Sequence, residues 1–154
     1  MRKITPCLWF ESEGEAAARF YVSLFAGSRM ISPKEATPDD GPTPLVVECE
    51  IAGQPVQIIN GGPHYSLSPA FSLSVSCADQ QEVDRYWDAL VADGGAESQC
   101  GWLVDRWGVS WQIVPRRLIE LMGDPDREKA RRVTDAMLGM RKLVVADLEA
   151  AANA

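Results

Sequence analysis

The sequence predicts an α+β fold: two consecutive modules, each a strand, a helix and further strands, followed by a helical tail. Three observations predict it. Residues 12–25 pair Ser12 with Glu15 as a capping box, then place Ala17, Phe20, Tyr21, Leu24 and Phe25 on one helical face. Residues 45–51 alternate, with Leu45, Val47, Cys49 and Ile51 on one side and Glu48 and Glu50 on the other. Both patterns then recur. Phe20-Tyr21 and Leu24 return as Tyr86-Trp87 and Leu90 at an offset of 66. Gly53-Gln54-Pro55-Val56-Gln57-Ile58-Ile59 returns as Gly108-Val109-Ser110-Trp111-Gln112-Ile113-Val114 at an offset of 55.

In chain order, residues 4–10 read as a strand, and the helix that follows ends at Gly27. A short strand fits within residues 28–36, and Pro38, Gly41, Pro42 and Pro44 mark a loop. Ala52-Gly53 is a tight-turn signal that folds residues 54–60 back as a strand. Gly61-Gly62-Pro63 opens a linker that runs to Pro69. Residues 70–77 form the next strand. Asp79 and Glu82 cap a second helix, whose apolar face is Val83, Tyr86, Trp87, Leu90 and Val91, and Gly94-Gly95 ends it. Residues 97–104 read as one strand, Asp105-Arg106-Trp107-Gly108 as a turn, and residues 109–114 as the last strand, stopped by Pro115. Behind the repeat, Asp124-Pro125-Asp126 starts a tail helix striped by Ala130, Val133, Met137 and Met140. A second short helix fits residues 147–152. Arg127, Lys129, Arg131 and Arg132 give the tail helix a basic face, which is either solvated or a partner surface.

Composition sets the broad class. A chain of 154 residues with 46% hydrophobic and 24% charged residues supports one core without staples. A net charge of −7 disfavours nucleic acid and anionic membrane as partners, because both need clustered positive charge. No apolar run is long enough to span a bilayer, and residues 1–6 show no signal-peptide core, so a cytoplasmic protein is expected. Cys7, Cys49, Cys77 and Cys100 form no CxxC motif. The first three sit in strand-like runs and read as buried, reduced thiols; Cys100, before Gly101-Trp102, is the one with room to be exposed, a reactive thiol there being the minority reading. His64 is the sole histidine and lies on the linker, so no two-histidine metal site exists within one chain.

Several short stretches together carry a family resemblance. They are Leu8-Trp9-Phe10, Phe20-Tyr21, Asn60-Gly61-Gly62-Pro63, Cys100-Gly101-Trp102-Leu103, Asp105-Arg106-Trp107-Gly108, Ser110-Trp111-Gln112-Ile113-Val114-Pro115 and Ala136-Met137-Leu138. With them the chain resembles the PhnB-like branch of the vicinal oxygen chelate (glyoxalase/bleomycin resistance/dioxygenase) superfamily, often labelled 3-demethylubiquinone methyltransferase-like. The resemblance runs over nearly the whole chain, tail included. It implies two βαβββ modules, residues 1–62 and 70–115, forming one domain whose curved mixed sheet surrounds a cavity. Residues 116–154 are then a helical extension packed on that domain or on a dimer partner.

The resemblance also implies where a site lies. Metal-dependent members place one ligand on the first and last strand of each module, positions that fall here on Pro6, Gln57, Ser72 and Gln112. Proline offers no side-chain ligand, and amides and a hydroxyl are poor donors for a transition metal. The expectation is therefore no metal and no cofactor. Glu48 and Glu50 remain the candidates if a metal is held. Alternation puts Leu8, Phe10, Ser72, Ser74, Ser110 and Gln112 on the cavity side, with Gln57 joining from the other module and Trp102 and Trp107 stacking from the rim. A nucleotide-fold methyltransferase needs a glycine-rich loop between a strand and a helix, and neither Gly61-Gly62 nor Gly94-Gly95 fits that place. The expected function is metal-free binding of a small, partly aromatic molecule by a homodimer, with ligand contacts at Leu8, Phe10, Gln57, Ser72, Ser74, Trp102 and Gln112. Two other readings stand beside it. One is a divalent-metal-dependent lyase, isomerase or dioxygenase with non-standard ligands. The other is an interaction module working through the tail helix.

Overall fold

The computed structural model describes residues 2–154. The chain divides into two compact units, one ending at Leu67 and the other spanning Ser68–Ala154.

In the first unit, β1 (Cys7–Phe10), α1 (Gly14–Leu24), β2 (Arg29–Ser32), β3 (Val46–Ile51) and β4 (Gln54–Asn60) follow in order. The sheet order is β1-β4-β3-β2, with β1 parallel to β4 and the other pairs antiparallel. A parallel pair needs a crossover, and the chain supplies it through α1, β2 and β3. The helix buries Ala17, Ala18, Tyr21 and Leu24 and packs on β3 and β4, where Val47, Cys49, Val56 and Ile58 are buried. The hairpin between β3 and β4 turns at Ala52 (φ 46°) and Gly53 (φ 82°), the left-handed pair that suits two-residue hairpins.

Three local expectations change here. The first strand begins at Cys7, and Ile4 stays 85% exposed, because Pro6 has no N–H for the ladder. Leu45 lies before β3 and is exposed. Ser12 does not cap α1. The helix has no side-chain cap from its own N-terminus; instead the Gly14 N–H donates to Asn60 Oδ1 at 2.8 Å, and Asn60 Nδ2 donates to the Pro44 carbonyl at 2.8 Å. Glu15 accepts from Arg19 at 2.8 Å and from the Thr37 N–H at 3.0 Å. These bonds hold its carboxyl below the usual carboxylate range against a burial penalty that opposes them.

The second unit repeats the design: β5 (Ser72–Cys77), α2 (Gln80–Val91), β6 (Ala96–Glu97), β7 (Trp102–Val104) and β8 (Ser110–Pro115). Its sheet order is β5-β8-β7-β6, again with one parallel pair, β5 with β8. The α2 cap is the expected one. Asp79 accepts from the Glu82 N–H at 2.9 Å, and Glu82 reaches back to the Ala78 N–H at 2.7 Å. Val83, Tyr86, Trp87 and Leu90 are buried. Residues 97–104 are not one strand. Cys100 (φ 57°) and Gly101 (φ 84°) turn the chain, so the segment becomes the hairpin β6–β7.

The tail continues this unit. Its helices are α3 (Arg116–Met122), α4 (Arg127–Leu138) and α5 (Val145–Ala152). Leu118, Leu121, Val133, Leu143, Leu148 and Ala152 form a core cluster against Val114, Met137 and Met140. Main-chain bonds fix it to the β6–β7 turn: Cys100 N–H to Met140 O and Gly101 N–H to Arg141 O, both 2.8 Å. Gln80 of α2 completes the attachment. Its Nε2 donates to the Leu143 carbonyl at 3.1 Å and its Oε1 accepts from the Val145 N–H at 2.7 Å. The tail therefore packs on its own unit.

Candidate functional site

Each sheet has one face covered by its helix and one face turned away from it. Strand register assigns the residues, because partners in register share a face. In the second unit Ser74 pairs with Gln112, and Gln112 pairs with Trp102. These form one row across β5, β8 and β7, on the face opposite Leu103, Trp111 and Ile113, which are buried. Ser72 pairs with Ser110 one step along. Gln112 Nε2 donates to Ser72 Oγ at 2.9 Å. Ser110 is buried, and its hydroxyl has no hydrogen-bond partner among the described residues. The structure thus brings Ser72, Ser74, Trp102 and Gln112 together as a neutral face, with a buried unpaired hydroxyl beside them. Groups of that kind are rare in folded proteins.

In the first unit Gln57 pairs with Cys7 and with Glu48, and Trp9 pairs with Ile59. Leu8 and Phe10 are placed otherwise than expected. Leu8 registers with Ile58, and both Leu8 and Phe10 are buried on the helix-covered face, away from Gln57. The side chains that share a face with Gln57 are Cys7, Trp9 and Glu48. The reason is a one-residue difference between the modules: three residues separate β1 from α1, but two separate β5 from α2. The offset of 66 holds for the helices, whereas Cys7 and Ser74, the register partners of Gln57 and Gln112, are 67 apart. A slip of one exchanges the two faces of a strand. Pro6 therefore corresponds to Leu73, not Ser72.

Donor chemistry tests whether the residues present suit a metal. Gln112 and Ser72 bond to each other, and Gln57 and Thr5, which matches Ser72 at the offset of 67, add no imidazole or carboxylate. Glu48 and Glu50 line a cavity of about 360 Å³ with Arg2, Thr5 and Arg29, and Arg29 pairs with Glu50 at 3.1 Å. Among the described residues no group of three or more His, Cys, Asp or Glu side chains comes together to hold a metal ion. The residues present do not fit a transition metal at the superfamily's positions.

Other motif residues turn out to be architectural. Trp9 Nε1 donates to the Gly62 carbonyl at 2.9 Å, and its ring meets Tyr65 edge-on at 4.9 Å. Gly61 lies under that ring: a Cβ there would sit 2.2 Å from Trp9 Cζ2. Gly61→Ala is therefore expected to lower unfolding free energy by about 2 kcal/mol, the scale of local overpacking. In a Trp9→Ala background the same change is expected to cost little; equal costs in both backgrounds by urea denaturation would refute the contact. Trp107 stacks beneath Arg106, whose guanidinium lies 4.8 Å from the ring and also pairs with Asp93 at 3.2 Å.

The cysteines differ from expectation in one respect. Cys49 and Cys77 are buried, and burial pushes their thiols up to about 11 and about 12. Nearby Glu82 and Asp79 raise Cys77 further. Cys7, expected to be buried, is exposed on the face away from the helix, and partial desolvation raises its thiol too. Alkylation of the native protein at mildly alkaline pH is expected to mark Cys7 and Cys100 while sparing Cys49 and Cys77 until denaturant is added. Peptide mapping by mass spectrometry checks this.

The comparisons with known proteins agree with this architecture. The family model of 3-demethylubiquinone-9 3-methyltransferase matches residues 2–114, stopping before α3. The PhnB protein from Bacillus cereus is 30% identical, and the alignment covers 74% of this chain and 99% of that one with a TM-score of 0.64. Protein PA1353 from Pseudomonas aeruginosa shares the fold at 17% identity, covering 75% of this chain and 98% of its own with a TM-score of 0.58. A glyoxalase/bleomycin resistance protein/dioxygenase family enzyme from Burkholderia phytofirmans PsJN matches at 11% identity, over 68% and 91% of the two chains, with a TM-score of 0.48. No curated protein matches the chain. The paired modules, the family match and the identity to PhnB together mean that the chain belongs to the 3-demethylubiquinone-9 3-methyltransferase family, the PhnB-like proteins.

Proposed function

We propose that this protein binds a small, partly aromatic molecule without a metal ion, as a cytoplasmic homodimer. The observation that supports this reading is the neutral face of the second unit. Ser72, Ser74 and Gln112 supply hydroxyl and amide groups, Trp102 supplies a half-buried ring in the same row, and Ser110 leaves a buried hydroxyl unpaired. A few neutral polar groups beside an aromatic ring orient a small ligand without charge. Gln57 offers a further amide on the corresponding face of the first unit. Leu8 and Phe10 belong to the packed core and are not part of the proposed contacts.

Methyl transfer is not part of this reading. Gly61-Gly62 leads from β4 into a loop, not a helix, and Gly61 is occupied by the Trp9 ring. Among the described residues no helix is long and apolar enough to cross a membrane.

The test has two stages. Purified, untagged protein is incubated with zinc, nickel, manganese or iron(II), desalted, and assayed for metal by mass spectrometry. It is then screened against aromatic compounds by thermal shift. The expected result is no retained metal, with a stabilising aromatic ligand whose effect is lost in Ser72→Ala/Gln112→Ala and in Trp102→Ala. Stoichiometric metal that supports turnover would overturn the proposal.

A further inference from the structure

We infer that the open face of α3 and α4 docks an acidic, amphipathic segment of a partner protein. A groove of about 540 Å³ lies there, lined by Met122, Pro125, Arg127, Ala130, Arg131 and Thr134 among others. The cations of α4 divide into two sets. Lys129 is held by Asp124 at 2.7 Å. Arg132 donates to the Ala151 and Ala152 carbonyls at 3.1 and 2.9 Å, satisfying the C-terminal end of α5. Arg127 and Arg131 have no such duty. Both are exposed, both line the groove, and neither has an ion-pair partner among the described residues. The neighbouring carboxylates leave them unpaired. Asp124 is taken by Lys129, Asp126 caps α4 by accepting from Glu128 and Lys129 N–H groups, and Glu128 and Asp135 make no ion pair with Arg131.

Helical spacing places Arg127, Arg131, Thr134 and Leu138 on one face of α4. Leu138 is 59% exposed, and on α3 Ile119 and Met122 are 63% and 39% exposed. Of these, Met122 lines the groove together with the two unpaired guanidinium groups, so apolar and cationic surface meet there. The complementary occupant carries carboxylates one helical turn apart, which take the Arg forks, and an apolar residue between them. Nucleic acid does not fit, because two free arginines on a chain of net charge −7 cannot follow a run of phosphates.

The test is fluorescence anisotropy with a fluorescein-labelled helical peptide bearing leucine and glutamate one turn apart. Saturable binding is expected. Arg127→Ala/Arg131→Ala and, separately, a peptide with glutamine for glutamate are each expected to weaken it by about tenfold or more, and added salt is expected to weaken it further. Both arginines are exposed, so an unchanged thermal melt verifies that the variant folds. No binding, equal binding to the variant, or equal binding of the glutamine peptide would overturn the inference. So would full competition by inorganic phosphate at concentrations comparable to the peptide, which marks a simple anion site. Self-association that the double variant abolishes, read by light scattering, would assign the face to a second copy and overturn it as well.

Discussion

Asp105→Ala is expected to lower the unfolding free energy by about 3–4 kcal/mol, because it strips a buried carboxylate from three N–H donors at once. Asp105 is 3% exposed. Its Oδ1 accepts from the Trp107 and Val109 N–H groups at 2.9 and 3.0 Å, and its Oδ2 accepts from Trp111 Nε1 at 2.9 Å. The same carboxylate thus closes the turn before β8 and holds the indole that α2 packs against. Asp105→Asn separates the two jobs. The amide oxygen still serves one side, but its NH2 group faces a donor on the other. Its cost is expected to be about 2 kcal/mol in the parent and markedly less in a Trp111→Phe background, which lacks the indole N–H. Chemical denaturation of the four-member cycle measures this. A loss below about 1 kcal/mol for Asp105→Ala would show that the network carries little of the stability.

Leu143→Ala is expected to cost about 3 kcal/mol, within the range for a fully buried leucine whose cavity cannot close. Leu143 is fully buried among Leu118, Leu121, Val133 and Leu148, and it lies against Gly101, where an added Cβ would come within 2.9 Å of Leu143 Cδ1. The flanking main-chain bonds from Cys100 and Gly101, and those through Gln80, hold the surrounding backbone in place, so the vacated volume persists. Because the cluster belongs to one unit of one chain, the variant is expected to lose stability with no change in molecular mass by light scattering. A change in mass would mean that the tail core extends into another copy. Lys142 adds a salt-sensitive clasp. It lies 3.2 Å from Asp84 and 2.8 Å from Asp88, and those carboxylates raise its own affinity for protons while burial opposes them.

Some of the site was visible in the residues. The Ser72 and Ser74 alternation and the turn at Asp105-Arg106-Trp107-Gly108 were legible because each depends on neighbours a few positions away, whereas Gln112 joins the serines only through the β5–β8 register. The placement of Leu8 and Phe10 was not. A hydrophobic alternation states that two faces exist, but not which one the helix covers, and a loop one residue longer reverses the answer. Cys7 and Trp9 share a face with Gln57 for the same reason, and their signal was the longer gap before α1. Asn60 was quoted only as part of a motif. Its cap on α1 joins residues 46 positions apart, which no local spacing encodes.

What the sequence determined by itself is what short-range geometry determines. The α2 capping box, the apolar faces around Tyr21 and Trp87, the left-handed hairpin at Ala52-Gly53 and the duplication follow from periodicity and local hydrogen bonding, while short motif stretches carried the family resemblance. Tertiary structure decided the rest: the parallel register that puts Leu8 in the core, the remote cap from Asn60, the turn at Cys100-Gly101 that receives the tail, and the division of the α4 cations into bonded and free. Each of these pairs groups distant in the chain. Their energies exist only once the segments have met, so no local pattern specifies them.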